Sequence, residues 1–139
     1  MPLRISAPQW LQLLIWPILL ASCTVAPSRP SSLQAHYIQI HDSVIPQRLD
    51  VRVGDEVRWQ NLRAEPIKIS LLSPLSGSGV SCQNGFSRFG ALDDTATIPP
   101  KAYVSLCFAR AGSIQYNIWL DLQDPLRSMT PTAKIVISG

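Results

Sequence analysis

His41-Asp42-Ser43 carries the three side-chain types of a hydrolytic relay. Contiguous residues on an extended chain point in alternate directions, however, whereas nucleophile and base must meet across space. The triplet therefore reads as a solvated strand end. His36 and His41 are an odd number of positions apart and fall on opposite faces of a strand, which makes a poor metal pair. Asp93-Asp94 and Asp121 with Asp124 have carboxylates but no glycine-spaced partners of the kind a calcium loop uses, so they read as hydrated loop acids. No catalytic constellation emerges, and the expectation is a non-enzyme.

The cysteines say more. Cys23 ends Leu20-Ala21-Ser22-Cys23, behind Arg4 and an apolar run from Trp10 to Ala21. The run is short for a membrane span and suits an export signal. The tetrapeptide resembles the lipobox of bacterial lipoproteins. That resemblance implies removal of residues 1–22, acylation of Cys23 with chains that include palmitate, and anchoring to the envelope facing the periplasm. Several acyl chains on one residue hold where a single chain binds only marginally. Thr24 resembles the outer-membrane sorting pattern of enteric bacteria. With Cys23 given to lipid, Cys82 and Cys107 remain, and an even remainder in an exported domain suggests a disulfide over free thiols or a metal pair. Closing that loop is worth about 3 to 4 kcal/mol in the chain-entropy model.

The elements that must position these groups follow from alternation. Ala102, Val104, Leu106 and Phe108 share one parity, and Ile114, Tyr116, Ile118, Leu120 and Leu122 another, so the stretch reads as two half-buried strands reversing at Ala111-Gly112. Tyr37 to His41 reads as a short strand. Leu49, Val51 and Val53, turning at Gly54-Asp55 into Val57 and Trp59, read as a second hairpin-like unit. Ile67, Ile69 and Leu71 follow Pro66, and Ala133 to Ile137 closes the chain. Between Leu72 and Gly90 the composition turns to Ser, Gly and Pro, a long loop to be tied down by the disulfide and by Phe86 and Phe89. Residues 23–36, rich in Pro and Ser, read as the lipidated cysteine and a flexible tether, and residues 37–139 as one β-sandwich. Removal of residues 1–22 takes the net charge from +3 to +2, and the basic residues are scattered, which argues against nucleic-acid binding.

Leu49-x-Val51-x-Val53-Gly54-Asp55-x-Val57-x-Trp59-x-Asn61, Pro66, Ile98-Pro99-Pro100, Phe108, Gly112-x-Ile114-x-Tyr116 and Lys134 to Ile137 resemble, in that order, the cupredoxin family. The resemblance implies an all-β, cupredoxin-like Greek-key sandwich. Trp59 precedes both cysteines, which disfavours an immunoglobulin order. A type 1 copper site needs two imidazoles and a thiolate, usually with a weak thioether. Carried over, the ligand positions hold Ile67, Ile118 and Asp121, and Met129 is a relic of the axial ligand. Ile67 and Ile118 share the inward parity, and burying one isoleucine is worth about 1.5 to 3 kcal/mol, so an apolar plug can close this end without copper. Trp119, beside Leu126 and Met129, is then a candidate contact for a protein partner at the end where relatives dock. These expectations describe a lipid-anchored binding or structural module of the bacterial envelope, an accessory subunit of a membrane-associated complex, with no cofactor. The alternative is copper binding or electron transfer through a noncanonical site using Met129, His36 or His41.

Overall fold

The structure is a computed structural model that describes residue 2 and residues 33–75 and 79–139. The chain divides after Pro30, and the strands lie in the unit Ser31–Gly139. Apart from residue 2, the expected export signal, Cys23 and all of the tether before Leu33 lie outside the described residues.

Alternating apolar residues build two five-stranded sheets that face each other. The first runs β2 (Val44–Ile45), β1 (Ala35–Ile40), β4 (Glu56–Asn61), β10 (Tyr103–Phe108) and β6 (Val80–Asn84). The second runs β3 (Arg48–Arg52), β12 (Ala133–Ser138), β11 (Gly112–Trp119), β5 (Ile67–Leu71) and β9 (Thr95–Ile98). A small separate pair, β7 (Ser87–Arg88) and β8 (Ala91–Leu92), stands apart from both. β1 lies parallel to β4, and β12 parallel to β3, while the other ladders are antiparallel. The first strand begins at Ala35, two residues ahead of the expected Tyr37.

Trp59 is the centre of the core between the sheets. Its indole meets Phe86 edge-on at 5.5 Å and Tyr116 edge-on at 5.6 Å, and all three side chains are buried. Such aromatic pairs add about 0.5 to 1.5 kcal/mol beyond their burial. Burial also pushes the Tyr116 phenol far above its ordinary range, because the ionised form would lose its hydration.

The two expected hairpins are not hairpins. β10 and β11 belong to opposite sheets, as do β3 and β4, so each Gly-containing connection carries the chain across the sandwich. Period-two alternation marks a half-buried strand but is the same whether the next strand pairs beside it or faces it across the core. The two crossings brace each other through Gly54 N–H donating to Phe108 O at 2.9 Å.

The long Ser/Gly/Pro stretch also departs from expectation. It contains β6, β7 and β8, and Cys82 sits in edge strand β6 directly opposite Cys107, to which it is bonded. The disulfide therefore staples the sheet edge, where a loop was expected. Phe86 is buried, whereas Phe89 is fully exposed and ties nothing down. On the outer face of the same sheet, the Arg58 guanidinium lies over the Tyr37 and Tyr103 rings, at 5.5 and 5.0 Å, and donates to Glu56 at 2.7 Å. That bond holds the Glu56 carboxyl below its usual range.

Candidate functional site

One end of the sandwich is set by Asn61, which continues the inward parity of Val57 and Trp59 and has no accessible surface. Its Nδ2 donates to the carbonyls of Glu65, Ile98 and Pro99 at 2.8, 3.0 and 3.2 Å, and its Oδ1 accepts from Arg63 N–H at 2.9 Å. One amide thus fixes the turn that enters β5 and the end of β9. A buried amide that satisfies its hydrogen-bonding groups specifies its surroundings.

What Asn61 frames is hydrocarbon. Ile67 lies opposite Ile98 in the β5–β9 ladder, and Ile118 opposite Ile69 in the β5–β11 ladder; all four are fully buried. Asp121 is exposed on the following loop, where its carboxylate accepts from Gln123 N–H at 2.8 Å. The positions that the family resemblance assigns to copper ligands therefore hold two enclosed alkyl groups and one solvated acid. Isoleucine has no lone pair to offer, so these residues do not fit a type 1 copper ion. Among the described residues, no three side chains of His, Cys, Asp and Glu come together as a metal-binding group.

The loop from Leu120 to Thr130 is closed over this end by its own bonds. Asn117 Nδ2 donates to Thr130 O at 2.9 Å, Ile118 N–H donates to Thr130 Oγ1 at 3.0 Å, and Asp121 N–H donates to Ser128 Oγ at 2.9 Å. Trp119 bridges to Met129 across the mouth of the loop, and Lys68 Nζ sits 5.2 Å from the centre of the indole. Trp119 is half-buried, Met129 is 48% exposed and Leu126 is 84% exposed. The structure thus brings Trp119 and Met129 together and leaves Leu126 at the outer edge of the same loop. The start of the same loop, Leu120 to Gln123, lines a cleft of about 420 Å³ with Arg63, Glu65 and Pro66, and Trp119, Leu126 and Met129 are not among its lining residues.

The remaining polar candidates are committed elsewhere. Asp42 pairs with Arg63 Nη1, which also donates to His41 O at 3.2 Å, so the His41-Asp42-Ser43 triplet is a turn held by an arginine. His36 Nε2 lies 2.9 Å from Asp55 Oδ2. Burial disfavours the charged Asp55, but Arg52 and Gln34 N–H groups and His36 together outweigh it and hold the carboxyl below its ordinary range. Asp93 accepts from Thr95 N–H at 3.0 Å, and Asp94 from Leu75 N–H at 2.8 Å. These acids shape loops. Asn61 was the residue that sequence reasoning underrated, although a polar residue on the inward parity of Val57 and Trp59 was the visible signal.

No protein-family model and no curated protein matches the chain. Solved structures do. The reduced form of a tryptophan-to-tyrosine mutant of amicyanin matches at 21% identity with a TM-score of 0.53. The oxidised form of a proline-to-alanine mutant of amicyanin matches at 22% and 0.53, and the Cu(I) form of a methionine-to-glutamine mutant at 21% and 0.50. Each alignment covers 75% of this chain and 82% of the other. Identity this low speaks to the fold, and the fold of this chain is a cupredoxin-like β-sandwich.

Proposed function

We propose that this protein is a non-enzymatic, lipid-anchored binding module of the bacterial cell envelope, an accessory subunit of a membrane-associated complex. In this reading the sandwich is a scaffold without a cofactor. The observation that carries it is the filled pole: Ile67 and Ile118 have no accessible surface where the resemblance calls for an imidazole and a thiolate. Once that pole holds hydrocarbon, the neighbouring loop serves to present a surface. Trp119, Leu126 and Met129 supply an aromatic and two flexible apolar groups on one loop, the composition that anchors protein contacts. Cys23, in its lipobox-like setting, supports acylation and tethering, facing the periplasm, with Thr24 favouring the outer membrane.

The test is quantitative recovery of envelope proteins on the acylated chain from detergent extracts, with wild type beside Trp119→Ala and Leu126→Ser. The reading expects one set of proteins to fall at least tenfold in both variants while the circular dichroism spectrum is unchanged. Equal recovery by all three chains contradicts the contact surface. Labelling with radioactive palmitate that survives Cys23→Ala contradicts the anchor.

A further inference from the structure

β7 and β8 are joined by a two-residue turn at Phe89 and Gly90, with Arg88 paired to Ala91 and Ser87 to Leu92. Both turn residues have positive φ, 51° at Phe89 and 81° at Gly90. A tight turn of this kind calls for Asn, Asp or Gly at both positions, since a side chain crowds the backbone in the left-handed region. Phenylalanine there is strained, and its side chain is 102% exposed, so no packing within the fold repays the strain. Local preference and burial both argue against an aromatic at this position. A residue that breaks two rules without an internal gain points to a contact outside the molecule.

The shape of the tip selects the partner. A stable protein interface takes about 800 Å² from each side, and a two-residue turn with short strands offers little of that. A lipid surface needs no matching cavity: it accepts a single aromatic among its acyl chains and a cation at headgroup level. Arg88 supplies the cation, with a side chain 72% exposed and its Nε 3.6 Å from Asp93. Leu92, exposed at the base of the hairpin, adds apolar surface.

We propose that the β7–β8 hairpin is a lipid-contact element, in which Phe89 enters the headgroup–acyl boundary and Arg88 meets lipid phosphates, fixing the orientation of a tethered domain. This rests on the lipid-anchor reading above. One aromatic is too weak to recruit a free protein, but residues 24–32 reach at most about 30 Å from an acylated Cys23. Over that reach the effective concentration of the bilayer is on the order of millimolar, where a weak contact becomes populated.

The experiment uses the acylated full-length mature chain with phosphatidylethanolamine bilayers containing a minority of phosphatidylglycerol. Flotation with vesicles reports the anchor. Paramagnetic broadening of amide signals in nanodiscs bearing a gadolinium-labelled headgroup reports the hairpin. The expected result is flotation of wild type and Phe89→Ser alike, with the amide signals of residues 88–91 broadened several-fold in wild type and restored in Phe89→Ser. Flotation with those signals sharp, or broadened equally in both chains, overturns the lipid contact, keeps the anchor and leaves the hairpin to a protein partner. A chain that does not float overturns the anchor and the contact together.

Discussion

Ile118 stands opposite Ile69 in the β5–β11 ladder, and neither side chain keeps any accessible surface. The pole of the sandwich is therefore core. Its stability comes from packed methyl groups, so truncating either partner opens a cavity that the surrounding ladder cannot fill. Ile118→Ala is expected to cost about 2 to 5 kcal/mol, read as a lower urea midpoint with an unchanged slope. A midpoint within error of wild type would mean that the pole is loosely packed and free to admit something else.

Asn61 makes the same end rigid by a different means. Asn61→Ala removes the donor that serves Glu65, Ile98 and Pro99 and the acceptor that serves Arg63. Leaving buried carbonyls unpaired costs about 1 to 3 kcal/mol for each group that water cannot reach. The expected loss is about 3 kcal/mol, with the amides of Arg63, which donates to Asn61 Oδ1, and Ala102, which donates to Pro99 O, losing hydrogen-exchange protection first. Uniform loss of protection across both sheets would show that Asn61 supports the fold globally and has no special hold on this end.

Gly85 has a φ of +89°, and a Cβ built there would run into the side chain of Val104. Gly85→Ala combines backbone strain with a steric clash against a buried residue on β10. It should destabilise by about 2 to 4 kcal/mol, more than a typical surface change. Gly90 also has positive φ but open space around it, so Gly90→Ala isolates strain alone and should cost about 1 kcal/mol. Equal effects in the two variants would remove the close approach as the explanation.

Much of this fold was legible in alternation. Ile67, Ile69 and Leu71 of β5, Val57 and Trp59 of β4 and the inward set of β12 all point where a period of two puts them. The sheet to which each strand belongs was not legible, because Ala111-Gly112 and Gly54-Asp55 look like hairpin turns whether the chain reverses in the same sheet or crosses to the other. The edge strand at Val80–Asn84 was also missed, since its residues are almost all exposed and carry no apolar period. At the pole, the inward parity of Ile67 and Ile118 was readable, while the carbonyl partners of Asn61 lie 4 to 38 positions away and no local pattern announces them.

Asp55 gives the acid limb of stability a definite sign. Its folded carboxyl titrates below its unfolded value, so the fold favours the ionised form. The stabilisation is fully present above the unfolded value, about 3.9, and is lost as pH falls through the folded one. Wild type should therefore lose stability below about pH 4, and Asp55→Asn should be less stable at neutral pH but show a flatter acid limb. An acid limb of the same steepness in Asp55→Asn would assign the effect to other carboxylates, such as Glu56 and Asp93, whose values are also held low.

The claim on which the function rests is that hydrocarbon fills the end of the sandwich where cupredoxins bind copper. Copper titration of the purified protein, followed by metal analysis and thermal unfolding, is the decisive measurement. With the pole filled, less than about a tenth of an equivalent of copper should be retained after desalting, with no intense visible band and no rise in Tm. One equivalent retained, with a strong thiolate-to-copper band and a raised Tm, would contradict it.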